Sequence, residues 1–203
     1  MIGIAVFTVA LTTPVATSRD GVDVVRYELA VRLGDGDLDV AATIHATGRP
    51  PPQWTLALVP EMTVTAARCG SASIAFTRSG ARLTLDGTAI TTAKGAFAVT
   101  IACQGAPAER FPPARGGYVR SVVGPETTYV RSQVAWHPRA EGDPALYSIT
   151  VDAPADRAVR TAGDFGAPRS TGARGSWSFT TATLCTPVPP RGFAPSTSSV
   201  ARR

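Results

Sequence analysis

The chain carries few side chains that could do chemistry. Its two histidines, His45 and His137, lie far apart in the sequence, whereas the zinc-peptidase motif His-Glu-x-x-His needs two histidines one helical turn apart so that both nitrogens reach the metal ion. The chain also lacks the Gly-x-Ser-x-Gly turn that exposes a catalytic serine, and a glycine-rich loop that would cradle phosphate. We therefore predict no metal site, no cofactor and no catalytic residues, with His45 on the polar face of a strand and His137 in a packing or turn role.

The spacing of Asp35, Asp37 and Asp39 would allow two of them to form a pair of catalytic carboxylates. They lie beside Gly34 and Gly36, however, and glycine accepts the positive φ that a tight hairpin turn demands. We therefore interpret these aspartates as solvated side chains near the tip of a hairpin rather than as an acid–base pair.

The three cysteines, Cys69, Cys103 and Cys185, include no Cys-x-x-Cys pair, which argues against a zinc ribbon. We interpret them as small hydrophobic residues, and the alternation around Cys103 predicts that its side chain points into the core. A Cys69–Cys103 disulfide stays open, because its formation depends on a proximity that the sequence does not give.

Glycine and proline are distributed so that long helices are excluded. The chain has 203 residues with 19 Gly and 17 Pro, and the longest stretches free of both are Val22–Leu33 and Glu126–His137. Gly and Pro cost about 1 and about 3 kcal/mol, respectively, inside a helix. With 44% hydrophobic and 17% charged residues, the chain is too apolar to be disordered throughout. The composition therefore predicts an all-β domain.

Strict alternation of apolar and polar residues predicts the strands that would form this domain. Val25, Tyr27, Leu29, Val31 and Leu33 alternate with polar or small residues, which is typical of a strand with one wet face. A glycine turn follows, and the chain returns with the same period over residues 38–46, which predicts a long antiparallel hairpin. Short strands separated by turn residues favour an antiparallel β-sandwich, saddle-like in shape, with short or no helices. Further strands are predicted at 54–58, 63–69, 73–78, 81–85, 96–103, 118–123, 127–134, 146–153, 157–162 and 176–183.

The two ends of the chain differ in composition from its middle. Ile2–Leu11 is apolar, and Ala16–Ser18 resembles the small-residue end of a signal peptide, although no basic residue precedes Arg19. We predict a signal-like leader over residues 1–19, a folded domain over 20–184 and a disordered Pro/Ser-rich tail over 185–203. The leader favours an exported or extracellular protein, with a cytoplasmic location as the alternative. It is too short and too interrupted for a transmembrane helix.

The positive charge of the chain is scattered. The formal net charge is +5, carried almost entirely by arginines spread from Arg19 to Arg203, with Lys94 as the single lysine. A nucleic-acid-binding protein would have its basic residues clustered along a groove or a helix. We therefore predict no nucleic-acid partner.

Four stretches, in a fixed order, carry a resemblance to a known family. The opening strand follows the pattern Tyr-x-Leu-x-Val-x-Leu, a Trp-His-Pro corner comes next, a further strand ends in Val-x-x-Pro, and a closing strand carries a Trp and a Phe. Over Asp23–Thr183 this order resembles the N-terminal β-sandwich, or saddle, domain of the zinc aminopeptidases of the aminopeptidase N family. The matching positions are Tyr27, Leu29, Val31, Leu33, Trp136, His137, Pro138, Val151, Pro154, Trp177 and Phe179.

The resemblance implies a domain that covers an active site without containing one. In that family the zinc site and the Gly-x-Met-Glu-Asn motif lie in a catalytic domain that follows the sandwich, and this sequence holds neither motif. The resemblance therefore implies a truncated, split or stand-alone relative that docks on a metallopeptidase catalytic domain. A Gln-x-Glu segment of the family binds the amino end of the substrate, and here Gln133-Val134-Ala135 lacks the carboxylate. By the resemblance, Gln133 and Trp136 are the candidate substrate-binding residues.

Two other functions stay open: a secreted ligand-binding or adhesion sandwich unrelated to peptidases, and an enzyme with an unrecognised site. An adhesion sandwich should expose tryptophan or tyrosine at a loop end. A domain made to dock on a catalytic partner should instead show a large apolar patch. We predict that Trp54, Trp136 and Trp177 are largely buried.

Overall fold

The computed structural model describes residues 3–7, 21–107, 121–124, 127–130, 134–140, 145–161, 164–165, 169–171 and 173–180. In that part of the chain the only helical element is a 3-10 turn at Gly87–Ala89, so the predicted all-β fold with short or no helices is confirmed. The strands are, in chain order, β1 (Gly3–Phe7), β2 (Val22–Leu33), β3 (Leu38–Gly48), β4 (Gln53–Ala57), β5 (Met62–Cys69), β6 (Ala72–Ser73), β7 (Phe76–Ser79), β8 (Arg82–Asp86), β9 (Ala96–Gly105), β10 (Val122–Val123), β11 (Thr127–Val130), β12 (Leu146–Pro154), β13 (Arg157–Thr161), β14 (Asp164–Phe165), β15 (Arg169–Thr171) and β16 (Arg174–Thr180).

One large sheet forms the first layer of the sandwich. Its order is β14-β16-β12-β2-β3-β9-β5-β6, with β15 also paired to β16. The antiparallel hairpin that the alternation predicted is formed by β2 and β3, with a register from Leu33 opposite Leu38 to Val22 opposite Gly48, and it lies at the centre of the sheet. The apolar face of this hairpin is buried and its polar face is half-buried or exposed, which is the arrangement expected for a sheet with one wet face.

Two smaller sheets form the second layer. A three-stranded sheet has the order β4-β8-β7, and a four-stranded sheet has the order β10-β11-β1-β13. Both contribute to the same hydrophobic core as the large sheet. At this interface the Trp54 ring of β4 meets the Phe97 ring of β9 edge to face, with centroids 5.5 Å apart.

The sandwich is not purely antiparallel, which corrects the prediction in this respect. β12 runs parallel to β2, with Leu146 opposite Arg26 and Asp152 opposite Arg32. β1 runs parallel to both of its neighbours, β11 and β13. Alternation along a strand tells which face is buried, but it carries no information about the direction of the neighbouring strand, and this is why the sequence analysis missed the parallel pairs.

The predicted inward face of β2 is wrong at one position. The register with β3 shifts between Val24 and Arg26, which is the signature of a β-bulge. Because of this extra residue, Val24 is fully buried and Val25 is 40% exposed. Tyr27 and the residues that alternate after it keep the predicted orientation.

Two further predictions change at sheet boundaries. The single strand predicted over 73–78 is two strands, because β6 pairs with the large sheet and β7 with the three-stranded sheet. Of the predicted leader, the structure describes Gly3–Phe7, which forms β1, and the predicted tail lies outside the described residues. The leader and tail assignments therefore stay predictions.

Candidate functional site

The Trp-His-Pro corner singled out in the sequence is held against the three-stranded sheet. Arg139 and Ala57 of β4 exchange two backbone hydrogen bonds, with N–O distances of 2.8 and 3.1 Å, and the amide of Val59 donates to the carbonyl of Ala135 at 2.8 Å. The corner, residues 134–140, therefore extends the edge of β4 as a short antiparallel pairing. Pro138, which has no N–H, lies between these two attachment points.

Aromatic rings surround the His137 side chain. The ring centroid of His137 lies 4.8 Å from that of Trp136, 5.4 Å from that of Tyr27 and 5.8 Å from that of Tyr147, in each case edge to face. Tyr27 and Tyr147 stack on each other with centroids 4.9 Å apart, and the Tyr27 hydroxyl accepts a hydrogen bond from the amide of Ala140 at 2.8 Å. The corner is therefore fixed to β2 and β12 of the large sheet as well as to β4.

His137 is a neutral packing residue. Its Nδ1 lies 3.1 Å from the Pro138 carbonyl oxygen, and because a carbonyl oxygen only accepts, Nδ1 carries the proton. Burial is the main cause that lowers the pKa of His137 to about 3; the charge of Arg139 adds to this effect, and the hydrogen bond to Pro138 opposes it. The predicted packing role is confirmed, and the buried ring is not placed to exchange protons with a substrate in solution.

Of the two candidate substrate-binding residues, the structure describes Trp136 but not Gln133. Trp136 is 3% exposed, so its ring presents almost no surface to a ligand in this structure. Gln133 lies outside the described residues. The structure therefore does not show the two brought together, and their role in substrate binding stays a prediction. The predicted burial of all three tryptophans is confirmed, since Trp54 and Trp177 are also buried.

The residue types that could hold a metal are dispersed in the described part of the chain. No group of three or more His, Cys, Asp and Glu side chains there could bind an ion. His45 lies on the outer face of the large sheet with Nε2 3.4 Å from Glu28 Oε1. Cys69 and Cys103 are buried free thiols, so the disulfide left open by the sequence is not formed between them. Cys103 points into the core as predicted, and burial raises its pKa to about 12.

Sequence reasoning missed a structural role for Arg78. Its guanidinium donates to the carbonyls of Met62 at 2.6 Å and Leu58 at 3.0 Å, and also to that of Val59. Partial burial lowers the pKa of Arg78. The Arg78 side chain therefore satisfies the carbonyls of the turn between β4 and β5. An arginine in a predicted strand gives no sign of such a role, because its partners belong to a turn distant in sequence.

An open groove of about 390 Å³ crosses the outer face of the large sheet. Its floor is a row of small side chains, because Ala30 lies opposite Ala41 and Ala41 lies opposite Ala102 in the strand register. The charged residues Arg32, Asp39 and Asp152 also line the groove, and the Asp152 carboxylate is in contact with the Arg174 guanidinium at 2.7 Å. The groove forms because the strand register places a row of small side chains beside a row of charged ones.

The predicted large apolar patch is not found on the described surface. The exposed large hydrophobic side chains there are Val25 and Phe76, the latter 37% exposed. They lie in different sheets, so they do not form one patch. The described residues also contain no helix that is long and apolar enough to span a membrane.

Comparisons with known proteins place the fold. The chain matches no protein-family profile and no curated protein, but it superimposes on solved structures of zinc peptidases. A two-domain M1 zinc metallopeptidase mutant bound to L-arginine has a TM-score of 0.61 at 18% identity, covering 81% of this chain and 40% of that one. The M1 zinc metallopeptidase of Deinococcus radiodurans has a TM-score of 0.59 at 17% identity, covering 80% and 39%.

A more distant enzyme shows the same pattern. Legionella pneumophila aminopeptidase A has a TM-score of 0.60 at 9% identity, covering 84% of this chain and 21% of the enzyme. The chain thus spans less than half the length of each of these proteins. The resemblance predicted from the sequence is confirmed at the level of fold: this chain has the β-sandwich fold of one part of the M1 zinc aminopeptidases.

Proposed function

We propose that this chain is a non-catalytic relative of the N-terminal sandwich of zinc aminopeptidases, and that it docks on a metallopeptidase catalytic domain. The observation that carries the proposal is the unequal coverage of the superposition. The fold accounts for 81% of this chain but only 40% of a two-domain M1 metallopeptidase. The uncovered part of such an enzyme is the class of partner that we propose.

The proposed docking surface is polar rather than apolar. The large apolar patch expected of a missing-partner surface is not present on the described residues. Interfaces between domains of one chain are more polar than obligate interfaces, and the corner at residues 134–140 is fixed rigidly by its contacts with β4 and Tyr27. The corner is buried apart from the half-buried Arg139, so within the proposal it is a rigid support and not the contact surface.

Within this proposal, Gln133 contributes to binding the amino end of the partner's substrate, and Trp136, the second candidate, acts only through the corner in which it is buried. The residue assignment comes from the resemblance to the family. The structural support is the burial of Trp136 against His137, with centroids 4.8 Å apart, directly after the segment that holds Gln133. A carboxylate is absent from Gln133-Val134-Ala135, so the contribution should be a hydrogen bond rather than an ion pair.

The test begins with the genomic DNA beside the coding sequence, where an open frame with His-Glu-x-x-His should be found. Its product, expressed and mixed with this chain, should form a 1:1 complex by analytical ultracentrifugation. Aminoacyl-amide hydrolysis by that product should then show a KM lowered about tenfold by the full chain, equivalent to about 1.4 kcal/mol. The proposal would be contradicted if no complex formed and KM did not change at roughly 10 μM of each protein.

Two variants localise the effect. Gln133→Ala should weaken the change in KM while leaving the complex intact, because it removes a hydrogen bond to substrate and not the docking surface. The matched control is Gln104→Ala, since Gln104 is exposed on β9 beside the outer-face groove. An equal effect of both variants would contradict the assignment of Gln133.

The non-catalytic assignment is tested on the purified chain alone. We expect less than stoichiometric zinc by elemental analysis and no hydrolysis of aminoacyl amides. Stoichiometric zinc or turnover would overturn the assignment and favour an enzyme with an unrecognised site. The adhesion alternative has less support, because all three tryptophans are buried and none forms a stacking surface for a ligand.

A further inference from the structure

Part of the segment predicted as a leader, Gly3–Phe7, forms a strand in the middle of a sheet. β1 lies between β11 and β13 in the four-stranded sheet. Its register pairs Ile4 with Thr127 and Phe7 with Val130 on one side, and Gly3 with Arg157 and Phe7 with Thr161 on the other. Gly3–Phe7 therefore has a hydrogen-bonded neighbour along both edges.

The rest of this sheet depends on β1. In the four-stranded sheet β13 pairs only with β1, and the hairpin of β10 and β11 lies on the opposite side of β1. Without β1 the sheet would be reduced to a single β13 strand and a hairpin whose first strand has two residues. An isolated two-stranded hairpin is marginally stable at best, and unpaired strand edges invite association with other chains.

The neighbouring strands are built as parts of the core. Val130 of β11 and Val159 of β13 are fully buried members of the core cluster, and Thr128 of β11 is fully buried as well. Removing the strand between them would open the backbone edges of both strands beside these buried side chains. Each unpaired buried backbone group costs free energy comparable to a lost hydrogen bond.

The apolar sequence of β1 is compatible with its place between two strands of a sheet. Gly3–Phe7 reads Gly-Ile-Ala-Val-Phe, a short continuous apolar run of the kind found in buried strands. The apolar core of a signal peptide has the same hydropathy, so composition does not distinguish the two. The two parallel registers do distinguish them, because a leader has no need of strand partners.

From these observations we propose that Gly3–Phe7 is a permanent strand of the sandwich, retained in the mature protein. The gap between β11 and β13 is then a strand-binding slot whose occupant is this segment of the same chain, aligned parallel to both walls. The proposal is independent of docking on a metallopeptidase and concerns the folding of the chain itself.

The first test cuts the chain after it has folded. A protease recognition sequence is inserted between Ala16 and Thr17 of the full chain, and the purified protein is cleaved under native conditions. The N-terminal peptide should co-elute with the body in gel filtration, as shown by mass spectrometry, and should be released only in denaturant. Release of the peptide with the melting temperature within about 1 °C of the uncut insertion variant would overturn the proposal.

A proline substitution tests the hydrogen bonds of β1 without a cut. Val6→Pro removes one N–H from a strand paired on both sides, so it should lower the melting temperature by several degrees. Val6→Ala is the matched control because it keeps the N–H, and its melting temperature should lie clearly above that of Val6→Pro. Equal melting temperatures for the wild type and both variants would contradict an interior strand. If Val6→Pro does not fold while Val6→Ala does, the proposal is supported.

Discussion

At the scale of single residues, buried polar groups affect the stability of the sandwich, and a buried titratable group makes that stability depend on pH. His137 is the clearest case, because burial holds its pKa near 3 while an unfolded histidine titrates near 6.5. Because the pKa is lower in the folded state than in the unfolded state, the neutral ring contributes fully to the free energy of unfolding above about pH 6.5. This contribution is lost as the pH falls toward 3.

The resulting prediction concerns stability in mild acid. Lowering the pH from 7.5 to 5 should reduce the free energy of unfolding by about 2 kcal/mol through His137 alone, since each pH unit below 6.5 contributes about 1.4 kcal/mol. Urea unfolding at both pH values measures it. His137→Gln, less stable overall, should lose most of this dependence because its amide does not titrate. Parallel pH profiles for the two proteins would show that His137 does not titrate with unfolding.

Thr128 offers a second prediction at this scale. Its hydroxyl is fully buried and finds no hydrogen-bond partner within the described structure, and an unsatisfied buried polar group costs about 1–3 kcal/mol. Thr128→Val keeps the shape of the side chain, so it should raise the free energy of unfolding by about 1 kcal/mol. The control is Thr43→Val, which breaks the 2.9 Å contact between Thr43 Oγ1 and Thr100 Oγ1 and should bring no gain. A loss of stability in Thr128→Val would mean that the hydroxyl is bonded.

At the scale of elements, the packing of β4 on the large sheet can be tested by a single substitution. Leu56 is fully buried between Trp54 and Leu58 on the inner face of β4, and it lies opposite Leu83 of β8. Leu56→Ala should therefore cost about 2–5 kcal/mol by lost burial and the cavity left behind. Thr55→Ala, on the exposed face of the same strand, should cost less than about 1 kcal/mol. A loss below about 1 kcal/mol for Leu56→Ala would contradict the assigned face.

The same scale shows what the sequence could and could not predict. A period of two identified β2, β3 and β9 and the inward side of Cys103, because that period follows directly from strand geometry. It could not locate the bulge that turns Val25 outward, since a bulge is a property of two paired strands. It also did not predict that Gly3–Phe7 pairs as a strand, because a short apolar run is typical of a leader as well. For the candidate site, the sequence identified the corner around Trp136 and His137 and the burial of Trp136, but it could not show that Tyr27 and Tyr147 pack against the His137 ring, because these residues are distant in sequence.

At the scale of the whole molecule, the two layers share one core and should unfold together. Trp54 lies in the three-stranded sheet, Trp177 in the large sheet and Trp136 in the corner, and all three belong to the same cluster of buried residues. A single domain with one core unfolds in an all-or-none transition. Urea unfolding followed by tryptophan fluorescence and by far-UV circular dichroism should therefore give coincident midpoints. Variants that keep one tryptophan each, with phenylalanine at the other two positions, should each show a single transition, coincident by both probes. An early transition reported by Trp54 alone would show that the three-stranded sheet unfolds as a separate unit.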